Sequence, residues 1–145
     1  MELDFAVLAD GVSLDPDGKI TLVGLGVDAV VAQSVPAVHP RLVVAVRVWA
    51  SEDEAREEHR VDVEVFAPDG ERVGATHSLT VPMTDEQLEL ARSVPLAGVG
   101  IAAVLDTRGL PMPAFGRYEI AIKWDGEPLR SLPIALVKPP SAGPA

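Results

Sequence analysis

Apolar and polar residues alternate with a period of two along most of the chain. In the segment 41–50, Val44, Val46 and Val48 occupy every second position, and the valines of 58–67 alternate with acidic residues. Successive side chains of a strand point to opposite faces, so this period predicts strands with one buried face. Other short runs rich in apolar or β-branched residues predict further strands at 2–14, 19–26, 28–34, 72–81, 98–105, 117–124 and 132–138. Turn residues lie between these runs, and the spacing predicts an all-β fold, a single antiparallel β-sandwich (immunoglobulin-like or C2-like) of about eight strands.

One segment, 84–93, has the pattern of a short helix. Thr84 is followed three residues later by Gln87, which is the spacing of a capping box, and Leu88 begins an apolar face. The segment 51–58 is strongly charged and is interpreted as a solvated loop rather than a helical turn. The sequence therefore predicts one helix.

Pro-Asp-Gly occurs at 16–18 and at 68–70, each time between alternating runs. Proline suits the first turn position, and glycine accepts the left-handed conformation that closes a three-residue hairpin loop. The first hairpin is predicted to pair Leu14 with Ile20. The second is predicted to pair Val65 with Val73 and, further along, Val61 with His77, so that like side chains meet across the strands.

The acidic residues of these turns are candidate calcium ligands. Counted from Asp15, position 5 of an EF-hand loop would be Lys19 and position 12 would be Gly26, so the ligand pattern of that motif is missing. A C2-like site that gathers loop acids remains an alternative interpretation, with Asp15, Asp17, Asp69 and Asp125 as the candidates. Acids at turns are usually turn formers, and we predict no metal site.

Composition narrows the class of protein further. The chain has 145 residues, a formal net charge of −10 and no cysteine. This length suits one domain, predicted at 1–138, followed by a flexible tail at 139–145. The charge argues against nucleic acid and anionic membrane as partners, and the missing thiols exclude disulfides and thiol catalysis. The acidic N-terminus does not have the pattern of a signal peptide, and a cytoplasmic location is expected.

Two of the histidines are candidates for metal binding or acid–base chemistry. The predicted register places His59 and His77 on one face as diagonal neighbours, which would suit a half-built metal site or an acid–base pair. The alternative is structural, with His77 at the margin of the core and His59 at a strand end. Metal sites usually need three or four ligands, and the chain has no Gly-x-Ser-x-Gly motif. We therefore expect no cofactor and no enzymatic activity.

Arg47 and Trp49 are the candidate interaction residues. The strand 41–50 buries its even-numbered side chains, so these two residues point to the opposite face together with Val43 and Ala45. Tryptophan and arginine are enriched at interface hot spots. The alternative is that the helix at 84–93 or a loop covers this face.

Two segments carry a resemblance to a known family. Residues 3–30 contain an apolar strand that ends in Ala-Asp at Asp10, a hairpin, and then Gly24, Gly26 and Asp28; the second segment is 116–126. Together they resemble an uncharacterised bacterial family of small β-sandwich proteins, a domain-of-unknown-function family. Val27 stands where members of that family often carry tryptophan. The resemblance implies a sandwich fold and no known activity.

The expected function is a non-catalytic protein-interaction or structural module, whose partner is an unidentified protein or a second copy of the chain. The alternative is a domain that binds a small ligand or a divalent cation through its loop carboxylates.

Overall fold

The computed structural model describes residues 1–16, 19–94, 96 and 98–140. Most of the described chain forms strands, with two short helices between them. The strands are β1 (Glu2–Ala9), β2 (Gly11–Leu14), β3 (Ile20–Val23), β4 (Ala29–Val31), β5 (Ala37–Ala50), β6 (His59–Phe66), β7 (Arg72–Val81), β8 (Val99–Met112), β9 (Gly116–Trp124) and β10 (Glu127–Val137). The helices are α1 (Glu52–Arg56) and α2 (Asp85–Arg92). Within these described residues, neither helix is long and apolar enough to cross a membrane.

The strands form three sheets. A three-stranded sheet has the order β1-β5-β8, a five-stranded sheet has the order β4-β10-β9-β6-β7, and β2 pairs with β3 in a separate hairpin. The pairing is antiparallel except between β4 and β10, which run parallel. The expected all-β class is confirmed in its coarser form, as a mostly β chain with antiparallel sheets. A single antiparallel sandwich is not confirmed, because the five-stranded sheet is mixed and the described residues contain ten strands rather than about eight.

One hydrophobic core lies between the two larger sheets. Alternate side chains of β5, such as Val44 and Val46, meet Val63 of β6 and Ile120 of β9 in a single buried cluster. Tyr118 is fully buried in this core, and its hydroxyl donates to the carbonyl oxygen of Ala114 at 2.6 Å. Because aromatic residues are few, branched aliphatic side chains supply most of the buried apolar surface.

The predicted helix is confirmed. Thr84 caps α2 in a capping box, in which its hydroxyl accepts from the backbone N–H of Gln87 at 3.2 Å. The interpretation of 51–58 as a solvated loop is wrong, because Ser51 caps α1 in the same way through Glu54. This short helix is stable in its context because it buries Ala55 against the core.

The register of the first hairpin is confirmed, with Leu14 opposite Ile20. Its turn residues Asp17 and Gly18 lie outside the described residues. In the second hairpin Val65 pairs with Val73 as expected, but Val63 pairs with His77 and Val61 with Leu79. The shift comes from extra residues in β7 around Gly74, whose φ of 68° is left-handed backbone that favours glycine. Of the tail predicted at 139–145, residues 141–145 also lie outside the described residues.

A second bulge changes which side chains of β1 face the core. The sequence pattern places Leu3, Phe5 and Val7 on one face, but the register with β5 shifts between Leu3 and Phe5. Leu3 packs against the core, whereas Phe5 and Val7 lie across from Arg47 and Ala45. Phe5 and Val7 therefore lie on the side of the three-stranded sheet that points away from the core.

Candidate interaction surface

The outward side of the three-stranded sheet is largely apolar. We call it the outer face and define it by Phe5, Val7, Val43, Ala45, Arg47, Trp49, Ala102 and Val104, which the registers of β1 and β8 with β5 place on one side of the sheet. Val43 and Ala45 are fully buried, but they do not belong to the core cluster. Ala102 and Val104 are half-buried. The three-stranded sheet therefore has apolar side chains on both of its sides.

Arg47 and Trp49 lie at one end of the outer face, and both are half-buried. The guanidinium carbon of Arg47 lies 4.2 Å from the centre of the Trp49 ring, in cation–π geometry. Nη1 of Arg47 also donates to Oδ2 of Asp4 at 2.7 Å. Asp4 is the residue at which β1 bulges, so the bulge places this carboxylate beside Arg47. Arg47 is thereby held flat between an aromatic ring and a carboxylate.

Gly100 makes room for this arrangement. It lies opposite Trp49 in the pairing of β5 with β8. A Cβ atom at position 100 would lie 2.1 Å from Nη2 of Arg47. Glycine at this position therefore allows the guanidinium to lie across β8.

Helix α2 borders the same end of the outer face. A groove of about 320 Å³ is lined by Arg47 and Trp49 on one side and by Met83 and Leu90 on the other. Leu90 is 69% exposed. Helix α2 therefore lies beside Arg47 and Trp49, and a groove remains between them.

The opposite end of the outer face carries a second ion pair. Arg41 donates from Nε and Nη2 to the two carboxylate oxygens of Asp106, both at 2.9 Å. Hydrogen bonding from Arg41 holds the pKa of Asp106 below its ordinary value, against the opposing effect of burial. With the Asp4–Arg47 pair at the other end, the face has one Arg–Asp pair at each end and apolar side chains between them. Each of these two pairs is neutral in itself.

The outward side of the five-stranded sheet is different. We call it the polar face and define it by Arg60, Asp62, Glu64, Ser78, Arg117, Glu119, Lys123 and Ser131. Its acids are paired with side chains on the same strand or on the adjacent strand. Asp62 accepts from Ser78 at 2.5 Å and from Arg60 at 2.9 Å, and Glu119 accepts from Arg117 and Ser131, both at 2.8 Å.

The described loop acids, Asp15, Asp69 and Asp125, do not converge on one site. Asp69 lies in the turn after β6, and Asp125 lies beside the first residues of that strand, so β6 separates them along its length. Oδ1 of Asp69 accepts from the N–H of Glu71 at 2.9 Å, and Oδ1 of Asp15 accepts from the N–H of Lys19 at 2.8 Å. In the part of the chain that the structure describes, which does not include Asp17, no group of three metal-ligating side chains converges.

The prediction that His59 and His77 are diagonal neighbours is wrong. The bulge in β7 places His59 opposite Val81 and His77 opposite Val63, so the two rings are not diagonal neighbours. His59 is instead hydrogen-bonded to Asp125, 66 positions further along the chain. The predicted register placed no carboxylate on the hairpin face that carries His59 and His77. The only hint was that Asp125 belongs to an Asp-Gly turn whose register was not assigned.

Comparison with known proteins agrees with the resemblance of the segments 3–30 and 116–126 to a domain-of-unknown-function family. A search of the curated proteins found no match. A family model matches residues 4–137, from the third residue of β1 to the last residue of β10. The match covers both large sheets, and it shows that the chain belongs to DUF6941, a family of unknown function.

Proposed function

We propose that this chain is a non-catalytic interaction module and that its outer face binds the same face of a second copy. The observation that carries the proposal is an apolar, charge-balanced face on a protein whose net charge is −10. Two copies repel each other through their acidic surfaces, and this repulsion is smallest where the charges balance. A basic partner would be drawn to acidic surface instead, so the charge balance favours a second copy.

The ends of the face suit a two-fold arrangement. Each end has one Arg–Asp pair, Arg47 with Asp4 and Arg41 with Asp106. If the β5 strands of two copies cross in antiparallel directions, each pair of one copy lies over the other pair of its partner. A two-fold axis repeats this contact, so every arginine has an acid from the second copy within its neighbourhood.

The size of the face sets the expected strength of the contact. Three strands spaced about 4.8 Å apart, over the length of β1, span about 400 Å², of which the fully buried Val43 and Ala45 expose almost nothing themselves. The groove beside Trp49 and Leu90 continues this apolar surface. Stable interfaces bury about 800 Å² on each partner, so we expect a dimer of moderate strength that dissociates on dilution.

Sedimentation velocity over a range of concentrations tests the proposal with a matched pair of variants. Ala102→Glu places a carboxylate on the outer face beside Arg47, its partner in the pairing of β8 with β5. Ala121→Lys places an ammonium on the outward side of β9 beside Glu64. Each new charge lies next to an opposite charge, so both monomers should fold.

The wild type and Ala121→Lys should form dimers, whereas Ala102→Glu should stay monomeric. A wild type that is monomeric at every concentration would overturn the proposal. A dimer that persists in Ala102→Glu would show that another surface forms the contact.

A further inference from the structure

His59 lies at the start of β6 and is 3% exposed. Its Nδ1 atom lies 2.6 Å from Oδ2 of Asp125, in the turn between β9 and β10. Its Nε2 atom lies 2.5 Å from the carbonyl oxygen of Glu54, in α1. A single buried ring therefore joins α1 to the β9–β10 turn.

The chemistry of the two partners fixes the protonation of the ring. A carbonyl oxygen and an ionised carboxylate are acceptors only, whereas a neutral imidazole donates from one nitrogen and accepts at the other. Both contacts are satisfied at once only if both ring nitrogens donate. His59 is then an imidazolium, and its charge is balanced by Asp125.

The charged groups around the ring agree with this state. Burial by itself lowers the pKa of His59, but the hydrogen bonds to Asp125 and Glu54 and the negative charges of Asp125 and Glu57 outweigh it and raise the pKa. The carboxylate of Glu54 points elsewhere, toward the N–H of Ser51 and the amino group of Met1.

Residues at the ends of β6 and β9 also contact His59 and Asp125. Arg60 donates its backbone N–H to Oδ1 of Asp125 at 2.8 Å, while its guanidinium turns to Asp62. The ring of Trp124 lies 5.7 Å from the ring of His59. Asp125 is 43% exposed, so solvent protons can reach the acid that pairs with the buried ring.

We infer that His59, Asp125 and the Glu54 carbonyl form a pH-sensitive latch on α1, which is closed while the imidazole is charged and opens when it loses its proton. Because the folded state raises the pKa of His59, the stability from this contact is fully present below the ordinary pKa of about 6.5. It is lost as the pH rises through the raised value. At the acidic side the latch also needs Asp125 ionised, and its pKa is lowered by His59 and the N–H of Arg60 although burial opposes this.

Helix α1 is connected through α2 to the groove beside the outer face. Glu52 of α1 forms an ion pair with Arg92 of α2, and α2 lines that groove through Leu90. Release of α1 should therefore loosen α2 and weaken the contact between two copies at alkaline pH. This last step rests on the proposed function, whereas the latch itself does not.

Nitrogen NMR of the wild-type ring tests the latch directly. At about pH 7, where an unperturbed histidine is mostly neutral, both ring nitrogens of His59 should carry protons, and the midpoint of titration should lie above that of an ordinary histidine. The Asp125→Asn variant should lower that midpoint, because the opposing charge is removed. A neutral tautomer at this pH would overturn the inference.

Amide exchange then shows whether the charge holds α1. The N–H of Ala55, which donates to the carbonyl of Ser51, should lose about tenfold in protection as His59 is deprotonated. His59→Gln should abolish that dependence on pH, whereas His77→Gln, the control on the neighbouring strand, should retain it. Protection that does not change across the titration of His59 would overturn the latch, even if the ring is charged.

Sedimentation at pH values below and above the measured midpoint separates this inference from the proposed function. A dimer that weakens only at the higher pH, and in wild type but not in His59→Gln, supports the coupling. A dimer of constant strength overturns the coupling and leaves the proposed function standing. A monomer at both pH values overturns the proposed function, while the NMR result still decides the latch.

Discussion

The outer face and the polar face have the same place in the fold but opposite chemistry. Each is the outward side of a sheet whose inward side packs into one core. The polar face carries acids paired with arginine, lysine or serine on the same or the adjacent strand. The outer face has alanine and valine at its centre, and its ion pairs lie at its ends.

This difference is not required for folding. A sheet with one side in the core can have a polar second side, as the five-stranded sheet does here. Val43 and Ala45 are buried between their neighbours in the monomer, but the apolar surface that stays exposed around them gains nothing there and increases the tendency to associate, which is why exposed apolar patches mark contact surfaces. The comparison therefore favours a role in binding for the outer face rather than for the polar face.

The largest effect is expected from a charge at the centre of the outer face. Val104→Lys places an ammonium opposite Ala45 and should weaken self-association by about 100-fold or more, because an apolar contact would have to bury a charge. Sedimentation equilibrium measures the change. Since this variant makes the protein less acidic, a loss of association cannot come from added repulsion.

Lys123→Val is the converse control for that prediction. It removes a cation from the polar face and leaves Glu64 with Arg72, whose Nη1 atom lies 3.9 Å from the Glu64 carboxylate. Association should remain at the wild-type level. If Lys123→Val and Val104→Lys weaken association equally, the two faces do not differ in the way that is proposed.

A smaller effect, on stability rather than association, is expected from the polar face. Asp62→Ala leaves Ser78 and Arg60 without their shared acceptor and should lower the free energy of unfolding by about 1–2 kcal/mol. Urea denaturation measures it. Asp106→Ala on the other sheet should cost less, because Asp106 and Arg41 remain about one-third exposed and hydrated. Equal losses would contradict this distinction between the two acids.

The loss of stability against unfolding at acidic pH should also depend on the polar face. A hydrogen bond from Ser78, together with the hydrogen bond and charge of Arg60, lowers the pKa of Asp62. A hydrogen bond from Ser131, together with the hydrogen bond and charge of Arg117, lowers the pKa of Glu119. Burial opposes both shifts. A lowered folded pKa stabilises the protein above the ordinary value, and this stability is lost as the pH falls through the lowered value. Unfolding measured below about pH 5 should therefore be less dependent on pH in an Asp62→Asn/Glu119→Gln variant. Asp106→Asn alone should reduce this dependence on pH less than the double variant does.

The smallest effect is expected from Gly100→Ala. The added methyl displaces the guanidinium of Arg47, a flexible group, so stability should change little. The loss of the cation–π contact with Trp49 should weaken association about twofold to fivefold. Sedimentation measures the association, and the NMR shift of Nε of Arg47 reports the displacement. An unchanged shift would contradict the contact between position 100 and Arg47.

Local sequence rules predicted the elements that depend on near neighbours. The capping box at Thr84 marked α2, and the first hairpin has the register that its like-with-like pairs indicated. The same capping pattern stands at Ser51 before α1, but the density of charge in 51–58 favoured a loop. The solvent-facing side of a helix accommodates many charges, and the one buried alanine, Ala55, holds α1 against the core.

Bulges limited the prediction of the sites. A strand with strict alternation keeps one set of side chains on one face, but one inserted residue reverses the faces beyond it. The one-residue bulge at Asp4 moved Phe5 and Val7 to the outer face. The two extra residues near Gly74 kept the faces of β7 but moved His77 further along β6, away from His59. The outward direction of Arg47 and Trp49 followed from the sequence because β5 alternates without interruption through them.

The sequence by itself determined the β-rich class, the strands and the outward direction of Arg47 and Trp49, because period-two patterns and turn residues act over a few neighbouring positions. Only the tertiary structure decided that Phe5, Val7, Ala102 and Val104 join them in one surface, and that Asp125 meets His59 across the pairing of β6 with β9. These contacts join strands that are far apart in the chain. Their partners are fixed by strand order and register, which depend on how the whole core packs.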